Sequence, residues 1–201
     1  MKTNKQEQRR AEIESAAYTL LAEVGYKKTS MLAIAKKASA SNETLYKWYG
    51  NKQNLFASLV KKNAETVERQ LQKSIDNQSD TIETLATIGP LILELISSEK
   101  AILLNRAAVF DVNETNTLGT TIAEQGRMKV TPLLLAVFQQ AVDNKLFKNA
   151  DAIEMTQVYL NVLIGDIQIR RVIGILEVLP TDIIEQRSKL ALKCIQQLYT
   201  S

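Results

Sequence analysis

Histidine is absent from this 201-residue chain, and cysteine occurs once, at Cys194. The first absence removes the commonest general base and the commonest metal ligand. The second forbids an internal disulfide and agrees with a reducing compartment. With 3 Pro and 7 Gly, the chain is poorly supplied for an all-β protein of many tight turns. Aromatic residues make up only 5%, which leaves few rings to stack on a flat ligand. No run of about 18 apolar residues offers a membrane span. The opening Met1-Lys2-Thr3-Asn4-Lys5-Gln6-Glu7 lacks the apolar centre of a secretory signal. The cytoplasm is therefore the expected location, and no membrane is expected as a partner. No Gly-rich phosphate loop, cysteine cluster or spaced carboxylate pair is present, and Asp111 and Glu114 stand alone in a polar stretch. Neither an enzyme, a cofactor nor a metal site is expected.

What is present favours helix: Ala, Leu, Ile, Lys, Glu and Gln dominate. The charge is unevenly spread. Residues 1–62 carry 12 Lys/Arg and 5 Asp/Glu, a net +7, while the remainder carries −4. A basic head on an acidic body points to a polyanionic partner for the head, although soluble Lys-rich helices give the same signal.

Ile13, Ala16, Ala17, Leu20, Leu21 and Val24 recur at helical spacing and predict a first helix that stops at Gly25. Arg9 and Arg10 stand at its start, where the helix dipole gives them no help. They are candidates for an outside partner or for plain solvated surface. Ser30 is placed to cap a short second helix over 31–38. Ser39-Ala40-Ser41 breaks the chain, a compact stretch 42–49 follows, and Gly50-Asn51 ends it, with Asn51 the cap of a fourth helix. Leu55, Phe56, Leu59, Val60, Val67 and Leu71 run down one side of that helix. Asp80 should cap the next, over 81–98, where Gly89-Pro90 predicts a kink or break. Further helices are expected over 99–111, 117–144 (with Pro132 in a first turn or at a kink), 151–176 and 181–199, with 111–116 and 144–149 as connections.

Two short helices around a tight turn fit a helix-turn-helix. Here the sequence resembles the TetR family of bacterial regulators. The resemblance runs through Thr29-Ser30-Met31, Ile34-Ala35, Ala38-Ser39-Ala40-Ser41, Thr44-Leu45-Tyr46-Lys47-Trp48-Tyr49, Asn51-Lys52 and Leu55-Phe56. Two positions depart from it. The family usually has Gly where Ser39 stands, in a turn that favours positive φ, and a small residue where Glu43 stands.

The resemblance implies an all-α protein. An N-terminal three-helix head over 1–50 would be joined by a fourth helix (51–75) to a helical domain for effector binding and dimerisation, within 51–201. It assigns phosphate contacts to Thr44, Tyr46, Tyr49 and Lys52, with Ser30 beside them. Asn42, Glu43 and Lys47 fall on exposed positions of the recognition helix, within reach of base edges. Leu45 should point inward, and Trp48 should pack.

The stretch 159–166 with Arg170-Arg171 is similar to the AefR-like branch. Independently, Val158, Val162, Gly165, Ile169, Val172 and Leu176 form a heptad-like stripe. With Cys194 and Leu198 of the last helix they are the expected homodimer interface, the alternative being a monomer core. Leu103, Phe110, Met128, Phe138 and Ile164 are candidates to line an effector pocket, or are ordinary core. The expected protein is thus a dimeric regulator on near-palindromic double-stranded operator DNA, most simply a repressor released by a small apolar effector. An effector-independent regulator or activator is the alternative.

Overall fold

Helices begin in this chain where a side-chain oxygen can meet a free backbone N–H. Ser30 Oγ accepts from Ala33 N–H at 3.1 Å, Ser41 Oγ from Thr44 N–H at 3.0 Å, and Asn51 Oδ1 from Asn54 N–H at 2.8 Å. Asp80 and Asp151 do the same for Glu83 and Glu154, each at 2.8 Å. Each such cap is worth about 1 kcal/mol. The computed structural model describes residues 2–147 and 151–199. It contains α1 (Lys2–Lys28), α2 (Met31–Lys37), α3 (Asn42–Tyr49), α4 (Lys52–Asp76), α5 (Thr81–Ser97) and α6 (Glu99–Asp111). There follow α7 (Leu118–Ile122), a π turn (Ala123–Arg127), α8 (Met128–Asp143), α9 (Ala152–Ile164), α10 (Ile167–Val172) and α11 (Thr181–Tyr199). Among the described residues there is no strand, and no helix is long and apolar enough to cross a membrane. Of the connection expected at 144–149, Lys148 and Asn149 lie outside the described residues.

The chain packs as two units, 1–62 with 103–125 and 63–102 with 126–201, each over its described residues. The head is centred on Ile13 and Ala17 of α1, Ile34 of α2, Leu45 of α3 and Leu55 and Phe56 of α4, all fully buried. Tyr26 meets Phe56 edge to face at 5.1 Å between centroids. The predicted face of α1 is buried at Ile13, Ala16, Ala17 and Leu21, half-buried at Leu20 and exposed at its end. Val24 is 42% exposed, because Gly25 turns the chain away with φ 75° and ψ 173°. The helix also begins earlier than expected, so Arg9 and Arg10 lie within it rather than at its start.

The second unit is centred on Leu85, Ile88 and Leu93 of α5, Phe138 of α8, Met155 and Tyr159 of α9, and Ala191 and Ile195 of α11. The kink or break expected at Gly89-Pro90 does not divide α5, which runs on to Ser97. An interior proline costs a helix about 3 kcal/mol. Burying Leu85, Ile88, Ile92 and Leu93 returns about 1.5–3 kcal/mol each, so packing prevails. Gly89 permits the close approach: a Cβ there would stand 2.8 Å from the Tyr159 hydroxyl and 3.1 Å from Ser188. That hydroxyl donates to Leu85 O at 2.7 Å, and burial pushes its pKa far above the ordinary value.

The single helix expected over 151–176 is not formed. Gly165, at φ 49° and ψ −129°, ends α9, and α10 is a separate short helix. The Arg187 side chain explains the break. It donates from Nε to Leu163 O at 2.8 Å, and its guanidinium fills the space that a Cβ at Gly165 would need. One orphan carbonyl at the end of α9, Leu163 O, is satisfied by this side chain rather than by another helical turn.

Candidate nucleic-acid interface

The turn between α2 and α3 is closed by Ala38 N–H to Ile34 O at 2.9 Å and Ala40 N–H to Ala35 O at 2.9 Å. Ser39 takes φ 49°, the left-handed value that favours glycine. Ser41 then starts α3, and its hydroxyl also meets Thr44 Oγ1 at 2.7 Å. Leu45 is fully buried, so α3 is pinned along one side. Asn42, Glu43, Tyr46 and Lys47 are exposed on the other, at the one- and four-residue spacing of a single helical face. Trp48 is half-buried against the head's core, as expected of a packing residue. Arg10 lies over its ring, 5.6 Å from the centroid. A cleft beside α3 is lined by Lys5, Gln6, Arg9, Glu12, Thr44 and Trp48, so α1 borders the recognition face.

Among the residues assigned to phosphate, Ser30 is exposed and Tyr46 is half-exposed. The Ser30 oxygen accepts the α2 cap bond, which leaves its hydroxyl proton to donate. Thr44 is half-buried, with its hydroxyl engaged by Ser41. Two of these residues turn toward the inside of the head. Tyr49 is buried and its hydroxyl has no hydrogen-bond partner among the described residues; burial first, then the nearby Glu14 carboxylate, pushes its pKa up, against the opposing pull of Arg10. Its ring lies on the inner side of α3 together with Leu45. Lys52 turns inward as well. Its ammonium donates to Tyr26 O at 2.9 Å and lies 4.1 Å from the centre of the Tyr26 ring. Burial lowers its pKa, against the pull of Asp111.

Asp111 organises the α6–α7 loop of the same unit. Its carboxylate accepts from Thr117 N–H at 3.0 Å, Leu118 N–H at 3.1 Å, Thr115 N–H at 3.3 Å and the Thr115 hydroxyl at 2.7 Å. Burial alone would raise the pKa of this carboxyl, but the hydrogen bonds outweigh it and hold the value below the ordinary 3.8. Lys27 pairs with Glu114 on the same loop. The sequence showed Asp111 as a lone loop carboxylate; only the fold brings its donors together.

The expected pocket residues do not form one set. Phe110 and Met128 are 82% and 63% exposed, which places them in solvent rather than in an enclosed cavity. Leu103 packs on the head's core, while Phe138 and Ile164 belong to the other unit's core. The expected interface residues also divide. Val158, Val162, Val172 and Cys194 are half-buried, Ile169 and Leu198 are 56% and 61% exposed, and Gly165 marks the break described above. The stripe therefore does not continue as one helix through 158–172.

This head defines a helix-turn-helix protein. Residues 13–59 match the family described as bacterial regulatory proteins, tetR family. The HTH-type transcriptional regulator HbdR of Aromatoleum sp. (strain CIB) is 33% identical over 79 residues, 39% of this chain and 34% of that protein. The matched stretches span only about a third to a half of the curated relatives' lengths. Likeness of fold runs further. The flavonoid-responsive regulator FrrA superposes with a TM-score of 0.70 at 24% identity, over 96% of this chain and 98% of that one. FadR of Bacillus subtilis, solved in complex with stearoyl-CoA, gives 0.68 at 18% identity, over 92% and 96%. The head thus matches that family's model over residues 13–59, and the fold of the whole chain is like that of these solved structures.

Proposed function

We propose that this chain is a DNA-binding transcriptional regulator that acts as a homodimer, and that it is a repressor released from its operator by a small, largely apolar effector. The observation that carries the reading is the exposed face of α3. Asn42, Glu43, Tyr46 and Lys47 project from a helix capped by Ser41 and anchored by Leu45, in the unit whose chain segment 1–62 carries +7. Asn42 and Lys47 read bases, Glu43 selects against or for a cytosine amino group, and Ser30, Thr44 and Tyr46 position the backbone. Neither Tyr49 nor the Lys52 ammonium belongs to that set.

Dimerisation is supported by the outer side of α11. Ile184, Ser188, Ala191 and Ile195 face the core, yet Ile183, Leu190 and Leu198 remain 39%, 50% and 61% exposed. A helix apolar on two sides wants a second cover. A homodimer would set two heads about 34–36 Å apart on a near-palindrome. The effector class is supported by the relatives of similar fold, one flavonoid-responsive and one holding stearoyl-CoA. Release would act through α4, which begins in one unit and ends in the other.

The test is selection of duplexes from a random-sequence DNA library, followed by anisotropy titrations across salt and with acyl-CoA and flavonoid panels. A half-site repeat and a steep fall of affinity with salt are expected, and Asn42→Ala should relax one base pair at a cost of about 1–3 kcal/mol. Absence of duplex binding at low salt overturns the reading. Binding that no panel member alters would leave an effector-independent regulator.

A further inference from the structure

Ser39 holds a left-handed φ of 49° at the apex of the helix-turn-helix. A Cβ in that region crowds the following carbonyl oxygen, so a serine carries a strain there that a glycine does not. The surroundings include one arginine. From the second turn of α1, Arg9 donates from one guanidinium nitrogen to Ala38 O at 3.0 Å and from the other to Ser39 O. The first nitrogen also meets the Glu12 carboxylate at 2.6 Å. The two carbonyls flank the left-handed residue, 29 and 30 positions away along the chain. Glu12 neutralises the guanidinium and fixes its rotamer. Arg9 therefore borders the recognition cleft without standing free as a phosphate ligand.

We propose that Arg9 is a positioning residue for the recognition helix, and that it is needed because residue 39 is not glycine. Its planar fork spans two consecutive carbonyls, which fixes the peptide between them and hence the direction in which α3 leaves the turn. A lysine has the charge but not the fork. A glycine at 39 would adopt the same φ unaided. The dependence on Arg9 should thus disappear with Ser39→Gly. The inference rests on the DNA-binding reading above for its functional readout, though not for its structural one.

The experiment compares the unmodified protein with Arg9→Met, Arg9→Lys, Ser39→Gly and the Arg9→Met/Ser39→Gly double variant. The probes are a duplex that the unmodified protein enriches from the random library, and random-sequence duplex of equal length. Amide exchange at residues 39–41 and thermal unfolding followed by Trp48 fluorescence accompany the titrations. Arg9→Met should bind the enriched duplex roughly tenfold more weakly, bind random duplex nearly as before, and exchange faster at the turn. Arg9→Lys should remain weak. The double variant should recover most of the affinity and the protection, while Ser39→Gly alone changes little. Enriched-duplex affinity that survives Arg9→Met overturns the proposal. So does a double variant that folds yet stays as weak as Arg9→Met, or a loss equal on both duplexes that tracks thermal stability alone. If Arg9→Met fails to fold, Arg9→Lys and the double variant carry the same comparison. If the unmodified protein enriches no duplex, the DNA-binding reading fails. The exchange data then still decide the clamp, by whether Ser39→Gly restores the protection that Arg9 substitution removes.

Discussion

Among the described residues, each unit buries one charged side chain, of opposite sign, and surrounds it differently. The head encloses Asp111, 3% exposed, and satisfies it with three backbone N–H groups and a hydroxyl, all within seven residues along the chain. The second unit encloses Arg171, 5% exposed. Its guanidinium donates to Ser97 O at 3.1 Å and Leu176 O at 3.2 Å and pairs with Glu99 at 2.5 Å. The anion staples one loop to itself, whereas the cation ties the end of α5 and the start of α6 to a segment more than 70 residues later. A buried charge costs several kcal/mol unless every lone pair or proton is met. The two sites meet that demand by local chain folding in one case and by tertiary assembly in the other. Removing the cation should therefore disturb more of the molecule than removing the anion.

The largest effect should come from Arg171→Met, which keeps volume but leaves Ser97 O and Leu176 O without this donor. One buried acceptor and one partly buried one, at about 1–3 kcal/mol for each buried group, put the loss near 3 kcal/mol. Urea unfolding followed by circular dichroism measures it. Glu99 is 73% exposed at its side chain and can return to water, so Glu99→Gln should cost under about 1 kcal/mol. If the two variants lose equal stability, the ion pair rather than the carbonyl tie holds the joint, and the contrast drawn above fails.

Asp111→Asn comes next. Oδ2 of Asp111 accepts from Thr117 and Leu118 N–H, and Oδ1 from Thr115 N–H. An amide nitrogen in either place faces donors with a donor. A loss of about 1–2 kcal/mol is expected, smaller than for Arg171. The carboxyl also sets a pH dependence. Its folded pKa lies below the ordinary 3.8, so its contribution is present above that value and is lost as pH falls through the lower folded one. Acid titration of Trp48 fluorescence in the head should show this limb, and Asp111→Asn should flatten it. An unchanged acid limb would assign the acid sensitivity to other carboxylates.

The same contrast explains what was legible in the sequence. Local devices were readable: the caps at Ser30, Asn51 and Asp80, the apolar side of α4, and the positive φ at residue 39, which the wish for glycine announced. Assembled ones were not. The heptad-like spacing from Val158 to Val172 runs straight through Gly165, and nothing nearby indicates that Arg187 will occupy that space. Lys52 reads as a cation at a helix start, where an anion is welcome. Only the fold shows that the Tyr26 carbonyl and ring, 26 residues earlier, take its ammonium. Leu103–Gln125 joins the head for the same kind of reason, through Leu104, Leu118 and the Asp111 loop, across a gap in sequence that no local pattern bridges.

The smallest effect tests a polar group that neither device serves. Tyr49 occupies the inner side of α3, and its hydroxyl is buried without a partner among the described residues, near the Glu14 carboxylate that Lys62 holds at 2.6 Å. An enclosed, unsatisfied hydroxyl carries its desolvation cost with no return. Tyr49→Phe removes the oxygen and keeps the ring against the core, so stability should rise by up to about 1 kcal/mol. Affinity for an enriched duplex should not change, because no hydroxyl of residue 49 reaches the recognition face. Tyr46→Phe, which takes a half-exposed hydroxyl from that face, should weaken enriched and random duplex alike. The pair separates two tyrosines three residues apart that the sequence pattern treats as equals. A Tyr49→Phe protein of unaltered stability but markedly weaker DNA binding would return residue 49 to the phosphate contacts. It would also mean that α3 rotates on the DNA, exposing the side that Leu45 now pins inward.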